Sequence, residues 1–562
     1  MNKILIKNLA SFLLYAICLV EILSCSQKKL DTDLHIVLRE NPRSLDPILS
    51  ADAVATEAIE AVYEPLLQYH YFKRPYTVVP LLAEKMPEYS KDGLTVIVHI
   101  KKNVRFQDDP CFPGGKGREL VAEDFIYGFN RLLDPKNQSE GGWIFENKVI
   151  GFSAQDKYTL VFRLKKKYPQ LNNVLTMSYT VPMPHEAIER YGAEIVNHPV
   201  GTGPFVVKEY IRNSQIVYER NPNFHGENFP DKEKGFENLD FGKALPLSER
   251  IVAHIIVENQ PQWLKFMAGQ LDLIRLEKDN YSSTIASDHE LKSEILKKGV
   301  QLSKNPSTTE WFIGFNMEDP VVGKNKDLRK AIGLAYDSKE DIEIFTNGHS
   351  DLSNQILPPQ IEGFDKNIPP REYNVEKAKK LLADAGFPGG KGLPKLVFDV
   401  EGSSSQRQWG EFFKNQMAKI GINVEVRTNT RPELMDKKRR GKLQVHMDGW
   451  IADYPDAENF MQLLYGPNKP PGPNNSSFND LEFNKLYEEM DGLAPSPHRQ
   501  NIIDRMTKIF LEQSPWIPNW RATLYYINQG WMKNYIYSDF GYNNYKYYGL
   551  DLDKKRELLK NF

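Results

Sequence analysis

The start of the chain limits what the rest can be. Lys3 and Lys7 precede a largely apolar run from Leu9 to Val20, and Ile22-Leu23-Ser24-Cys25 follows. About a dozen apolar residues are too few for a spanning helix, which needs ~20, and suit the core of a secretory signal, which needs about 7–15. Small aliphatic residues and a serine ahead of a cysteine resemble the bacterial lipoprotein box, in which the cysteine becomes the lipidated first residue; the alternative is a plain signal peptide with an incidental cysteine. The reading is a signal over 1–24, lipidation at Cys25 and a polar tether over 25–31. The chain is then exported to the periplasm or cell envelope and held to a bacterial membrane by acyl chains. Of three cysteines, Cys18 leaves with the signal and Cys25 is modified, so Cys111 has no partner for an internal disulfide. An exported chain without covalent staples depends on buried apolar area, and the roughly 540 residues left can supply it.

That length is several times a common domain of ~150 residues and predicts two or three compact units. A mean hydropathy of −0.51 excludes a polytopic membrane protein. A net charge of −2, from 72 basic and 74 acidic side chains, gives no basic surplus for nucleic acid. Leu34–Leu38 reads as a first strand and 51–63 as a helix. After the turn Lys91-Asp92-Gly93, the alternation of Val96, Val98 and Ile100 predicts a hairpin strand. Asn374 caps a helix over Val375–Ala385. The strand Leu396–Val400, a helix over Trp409–Ile420 and the alternating Ile422, Val424 and Val426 make a βαβ unit, so the fold class is α/β.

Motifs for bond-making chemistry are sparse. Phe-Pro-Gly-Gly-Lys-Gly occurs at 112–117 and again at 387–392, but Pro110 and Ala385 stand where a phosphate loop needs glycine and neither lysine precedes Ser or Thr. Both copies read as exposed turns. His185-Glu186-Ala187-Ile188-Glu189 ends in Glu where a zinc-protease motif has its second His, and reads as a helix start. Ser403-Ser404-Ser405 precedes a helix, where capping is the default role. Cys111 follows Asp108 and Asp109, which disfavour a thiolate. No metal, cofactor or catalytic set is expected, and the chain reads as a non-enzyme; the alternative is a secreted hydrolase using Asp453, Asp456 and Glu458. Lys437-Lys438-Arg439-Arg440 reads as a solvated helix end or as a contact to an acidic ligand group. Eight tyrosines between Tyr525 and Tyr548 read as core or, alternatively, as the lining of a cleft.

The most informative stretch is His446 to Phe460, with Gly449-Trp450, then Asp453, Asp456, Asn459 and Phe460, just after a predicted strand. An acid at a strand end inside a cleft can pair with a ligand ammonium, and the Trp supplies an apolar or cation–π wall. Other fragments fall in a matching order: Ser44-Leu45-Asp46-Pro47, Ala122-Glu123-Asp124-Phe125 through Arg131-Leu132-Leu133-Asp134-Pro135, Gly201-Thr202-Gly203-Pro204-Phe205, Glu219-Arg220-Asn221-Pro222 and Leu328-Arg329-Lys330-Ala331. Together they resemble the extracellular solute-binding proteins of family 5, the oligopeptide- and dipeptide-binding receptors of ABC importers, from about Leu34 to Phe540.

The resemblance implies a two-lobed fold around a cleft, periplasmic-binding-protein-like (type II, cluster C), with an extra domain inserted in the N-terminal lobe. Lobe I would comprise 32–62, 199–310 and 515–562, the inserted domain 63–198, and lobe II 311–514. It further implies a monomer that captures short peptides by hinge closure and hands them to ABC permease subunits, with no cofactor. In relatives the acid three residues after the Trp pairs with the peptide α-ammonium. Here that is Asp453, with Trp450, Ile451 and Ala452 as the adjoining ligand-binding residues. Met447 stands where a well-known receptor has the arginine that meets the peptide carboxylate, so that partner is unassigned, with Lys438 and Arg431 as nearby candidates. Val121 replaces the usual Thr cap before Ala122. The family also includes nickel, sugar and other solute binders, so a non-peptide cargo is the alternative; a signalling or adhesion lipoprotein on the same scaffold is a third.

Overall fold

The computed structural model describes residues 30–50, 52–540 and 544–562. The expected signal over 1–24, the lipidation site Cys25 and the first part of the tether lie outside the described residues. Among the described residues no helix is long and apolar enough to cross a membrane.

Three larger sheets organise the chain. In the first, Leu34–Leu38 runs parallel to Arg250–Ile255, and Gln215–Arg220 and Phe205–Ile211 follow antiparallel. Leu34, Ile36 and Leu38 are buried and alternate with half-buried neighbours, the period of two expected of a strand with one face on a core. The second sheet is antiparallel, in the order Glu88–Tyr89, Thr95–His99, Thr159–Leu164, Val149–Asp156. Its inward residues Val96, Val98, Leu160 and Phe162 share one core with Phe125 and Phe129 of the helix Ala122–Leu133. The third has seven strands. Leu273–Arg275, Trp516–Asn528, Gln301–Phe315, Val445–Ile451, Leu396–Glu401 and Val424–Asn429 follow in that spatial order, and Asp351–Leu352 pairs on Trp516–Asn528. The βαβ unit read from sequence is present, with Leu396–Glu401 and Val424–Asn429 parallel and joined by the helix Ser404–Ala418. That helix begins five residues before the expected Trp409, because Ser403 accepts from Gln406 N at 3.3 Å and its first turn is polar and carries no apolar signal.

The helix expected over 51–63 is confined to Ala53–Ile59. Beyond it the carbonyls of Ala61 and Val62 accept from Phe205 N at 3.0 Å and Gly203 N at 2.8 Å, so the chain leaves the helix to make a joint. A Cβ on Gly201 would lie 2.1 Å from Val62 O, and one on Gly203 2.5 Å from the same atom, so the two backbones approach as closely as they do only because glycine is there. Asn221 completes the joint through Pro204 O to its backbone N–H and Gly203 O to Nδ2, both at 2.8 Å. Asp46 holds Arg131 with contacts of 2.8 and 3.2 Å, fastening Ser44-Leu45-Asp46-Pro47 to the 122–133 helix. Arg329, 2% exposed, donates to the carbonyls of Val322, Gly323, Gln513 and Ser514 at 2.6 to 3.0 Å. At Val121 there is no side-chain acceptor; Asp124 Oδ2 takes the Val121 N–H at 2.8 Å. Both Phe-Pro-Gly-Gly-Lys-Gly copies are turns, with short 3-10 segments at Pro113–Gly115 and Pro388–Gly390.

Two long strands carry the sheet from one lobe to the other. Gln301–Pro306 pairs with Thr523–Asn528 beside Leu273–Arg275, whereas Glu310–Gly314 pairs with Trp516–Arg521 beside Val445–Ile451. The ladder changes register between Pro306 and Glu310. There Asp539 Oδ1 accepts from Thr308 N at 3.2 Å and Ser307 Oγ at 3.1 Å, giving the irregular segment the partners that the ladder lacks. The limits drawn at 310/311 and 514/515 from sequence fall inside the first strand and at the start of the second.

The C-terminal segment is tied back by a buried charge. Lys546 is fully buried and donates to Gln68 Oε1 at 3.0 Å and to Glu227, which also accepts from Gln68 Nε2 at 2.8 Å. Removing the ammonium leaves Glu227 uncompensated. Lys546→Met is therefore expected to lower stability in urea by about 3–5 kcal/mol, and Lys546→Met/Glu227→Met to recover at least half of that. A double variant no more stable than the single one would show that the pair is not the source of the loss.

Candidate functional site

A cavity of about 560 Å³ opens between the lobes, with walls from the first strand, the 53–59 helix, the register shift at 307–311, the 451–453 turn and the C-terminal tyrosines. Its best-defined charged group is Asp453. The strand Val445–Ile451 ends one residue before the turn that leads to the short helix Glu458–Met461. Asn459 holds that turn in place. Its Oδ1 accepts from Asp453 N at 3.0 Å and from Trp450 Nε1 at 2.9 Å, while its Nδ2 donates to Asp453 Oδ2 at 2.9 Å. Asp453 Oδ1 has no hydrogen-bond partner among the described residues. Burial pushes the carboxyl up, the Asn459 hydrogen bond draws it down and Glu458 raises it, leaving it at about 6. This is a fixed carboxylate on a cavity wall with one oxygen unmet, suited to a cation that arrives with its own charge.

Ile451, 58% exposed, and Ala452 line the cavity beside Asp453. Trp450 does not. Its ring lies against the lobe II core, and its N–H serves Asn459. The aromatic wall that the sequence assigned to Trp450 comes from Trp311, which pairs across the sheet with Gly449. A Cβ on Gly449 would sit 2.9 Å from Trp311 Cδ2, so the glycine of the Gly-Trp step makes room for the tryptophan of the next strand. Nothing in the sequence around Trp311 carries that information, because it resides in the strand register.

The three acids of the hydrolase reading do not converge. Asp456 pairs with the buried Arg499, and Glu458 accepts from the hydroxyls of Tyr454 and Tyr487. Only Asp453 of the three lines the cavity. Neither carboxylate-partner candidate lines it either. Lys438 donates to Asp448 at 2.9 Å, and Arg431 begins the 431–439 helix outside the cavity wall. Lys437 is held by Asp399 at 2.7 Å and Asn429 at 2.6 Å, so the basic run is a set of local ion pairs at a helix end. The guanidiniums on the cavity wall are Arg39 and Arg275, 3.7 and 3.2 Å from Glu277. Five of the late tyrosines, 526, 535, 537, 545 and 548, face the cavity, whereas Tyr547 stacks on Tyr71 at 4.0 Å and Tyr525 is in another core. Tyr545 and Tyr548 are at once buried core and cavity lining, so both readings hold, and Tyr542 lies outside the described residues. At Cys111, burial and then Asp109 push the thiol far up. Among the described residues no group of three or more His, Cys, Asp or Glu side chains is placed to hold a metal ion.

The family of bacterial extracellular solute-binding proteins, family 5 Middle, matches residues 77–471. Curated relatives include heme-binding protein A of Haemophilus influenzae, 28% identical over 92% of this chain and 91% of that one. Di/tripeptide-binding protein 1 of Pseudomonas aeruginosa is 24% identical over 90% and 92%. Among solved structures, the ABC transporter-associated periplasmic binding protein DppA of Helicobacter pylori, in complex with the peptide STSA, is 22% identical. It superposes with a TM-score of 0.76 over 93% of this chain and 99% of that chain. The dipeptide binding protein of Pseudoalteromonas sp. SM9913, in complex with Met-Leu, is 20% identical with a TM-score of 0.74, over 92% and 100%. The fold is the two-lobed α/β fold of these proteins.

Because the folded-state Asp453 lies at about 6, above an unfolded carboxyl near 3.8, its contribution to stability is complete below pH 3.8 and is lost as pH rises through 6. Asp453→Asn removes that loss. In urea the ligand-free variant is expected to exceed the native protein by about 1–2 kcal/mol at pH 7.5, discounted for the open cavity, and by clearly less at pH 5. An equal difference at both pH values would refute the assignment.

Proposed function

The chain belongs to the bacterial extracellular solute-binding proteins of family 5, and from that premise we propose that it is a lipid-anchored receptor that captures short peptides and presents them to the permease of an ABC importer. The observation that carries the peptide reading is Asp453, a positioned carboxylate with one oxygen unmet on the cavity wall. It receives the α-ammonium, Ile451 and Ala452 supply backbone edge and apolar contact, and Trp311 closes the adjoining side. Arg39 and Arg275 are the cations available to the peptide carboxylate. Closure turns about the 301–315 and 516–528 strands, where the register shift lets the two ends of one ladder rotate.

A haem cargo is favoured by one relative's name and by the tyrosines on the wall, since a tyrosinate can hold haem iron. The cavity wall, however, presents more carboxylates than guanidiniums, and Asp453 offers an unmet oxygen, which suits an ammonium better than a haem carrying two carboxylates of its own. Peptide is therefore the preferred cargo.

The test is calorimetry with a tripeptide and its N-acetylated form. Asp453→Ala is expected to weaken the free tripeptide by about 30-fold to a few thousand-fold, as for a desolvated charge pair losing one partner, and to bind both forms alike. Native protein that does not distinguish the two forms, or that shifts the Soret band of added haemin stoichiometrically, would overturn the peptide reading.

A further inference from the structure

The charged groups on the cavity wall are unequal in number: five carboxylates, from Asp52, Glu57, Glu60, Asp453 and Asp539, face two guanidiniums. Asp453 is assigned to the ligand ammonium, and Asp539 is occupied by Ser307, Thr308 and Tyr537. The other three belong to the helix Ala53–Ile59 and its two caps, Asp52 accepting from Ala55 N at 2.8 Å. Ala53, Thr56, Glu57 and Glu60 recur at the spacing of a single helical face, and all of them line the cavity. From Asp52 to Glu60 the helix advances about 12 Å, the length of three to four extended residues. Asp52 lies at the Asp453 end, where both carboxylates push the Tyr179 phenol up, after burial. Glu57 lies at the other end, accepting from Tyr545 OH at 3.0 Å.

That far end is lined by tyrosines. Tyr537, Tyr526, Tyr535, Tyr548 and Tyr545 form a continuous chain of rings with successive centroids 5.6, 5.8, 5.8 and 6.1 Å apart. Tyr548 is only 5% exposed and lines the cavity, yet its hydroxyl has no hydrogen-bond partner among the described residues. The hydroxyls of Tyr526 and Tyr535 are likewise unpaired among the described residues. Arg39 is the cation that acts on Glu57, but no hydrogen bond joins them, and Arg39 is shared with Glu277. Phenol faces attract cations, and a carboxylate beside them adds a directed partner.

We propose that the end of the cavity walled by Glu57, Glu60, Tyr535 and Tyr548 is a subsite for a cationic side chain, so that the receptor prefers peptides with lysine or arginine two or three residues from the amino end. This rests on the peptide reading above and narrows it. An aliphatic side chain would leave the hydroxyls of Tyr526, Tyr535 and Tyr548 unmet, and an acidic one would add a sixth carboxylate.

The decisive measurement is calorimetry on the purified protein with Ala-Ala-Lys, Ala-Ala-norleucine and Ala-Ala-Ala, repeated with Glu57→Gln. Lysine and norleucine differ only at the ammonium. The native protein is expected to bind the lysyl peptide at least tenfold more tightly than the norleucyl one, and Glu57→Gln to reduce that ratio below threefold. A native ratio within threefold, with Ala-Ala-Ala still bound, overturns the subsite and leaves the peptide reading standing; no binding of any of the three overturns both. If Glu57→Gln loses its folded circular dichroism, Tyr548→Leu replaces it. A ratio that fell at least threefold in that variant would support the subsite, and an unchanged ratio would overturn it.

Discussion

A single antiparallel ladder, the pairing of Gln301–Phe315 with Trp516–Asn528, sets the relation between the lobes and therefore the shape of the cavity. Its weakness is the change of register at 306–310, where backbone groups lose their regular partners. The segment carrying Asp539 repairs the defect from the C-terminal side, with its carboxylate on Thr308 N and Ser307 Oγ and its own N–H donating to Tyr76 OH at 3.1 Å. The repair is made by a few hydrogen bonds rather than by a continued ladder. That combination suits a hinge, because a satisfied irregularity can change its dihedral angles without exposing apolar core. Asp539 and Trp311 also line the cavity, so the same short stretch that could turn is in position to register what lies inside.

Seen from this seam, most of the sequence fragments that suggested the family are joints rather than ligand contacts. Gly201-Thr-Gly-Pro meets Val62 and Asn221, Ser44-Leu-Asp-Pro meets Arg131, and Arg329 gathers four carbonyls. Each is a place where two distant backbones come within hydrogen-bond reach, and each needs a particular residue type: glycine for clearance, a carboxylate for a guanidinium, an arginine with its fork of donors for several carbonyls at once. Such positions tolerate little change whatever the cargo. Only the stretch around Gly449 to Asn459 combines a joint with the cavity, since Asn459 braces the turn that presents Asp453.

This division explains what could be read in advance. Local structure was legible wherever it depended on local chemistry: the alternating strand Leu34–Leu38, the Asn374 cap that accepts from Lys377 N at 2.9 Å, and the two Gly-Gly-Lys turns. Asp453 was legible because the motif that frames it is contiguous. Trp311, Arg39, Arg275 and Glu57 were not, since each reaches the cavity only through sheet register or lobe arrangement, and no short-range pattern encodes either. The tyrosines lay between these cases. Their density near the C-terminus was plain, but deciding between core and cleft required knowing that their segment returns beside the 53–59 helix, where Tyr545 meets Glu57. Trp450 shows the same limit from the other side, as a conspicuous residue whose ring supports the site from behind.

The electrostatics of the cavity bear on the proposed closure. Burial raises the carboxyls of Glu57, Asp453 and Asp539, and the hydrogen bonds from Tyr545, Asn459 and Tyr537 offset that cost only in part. A ligand cation relieves that cost more as water is expelled, because the attraction strengthens as the local dielectric falls. Solvent in an open cavity screens these carboxylates, whereas a drier one leaves them to Arg39, Arg275 and their hydrogen-bond donors alone. Under the proposed function, positive charge in the cavity would favour closure, and the carboxylates proposed to bind the ligand would supply that bias.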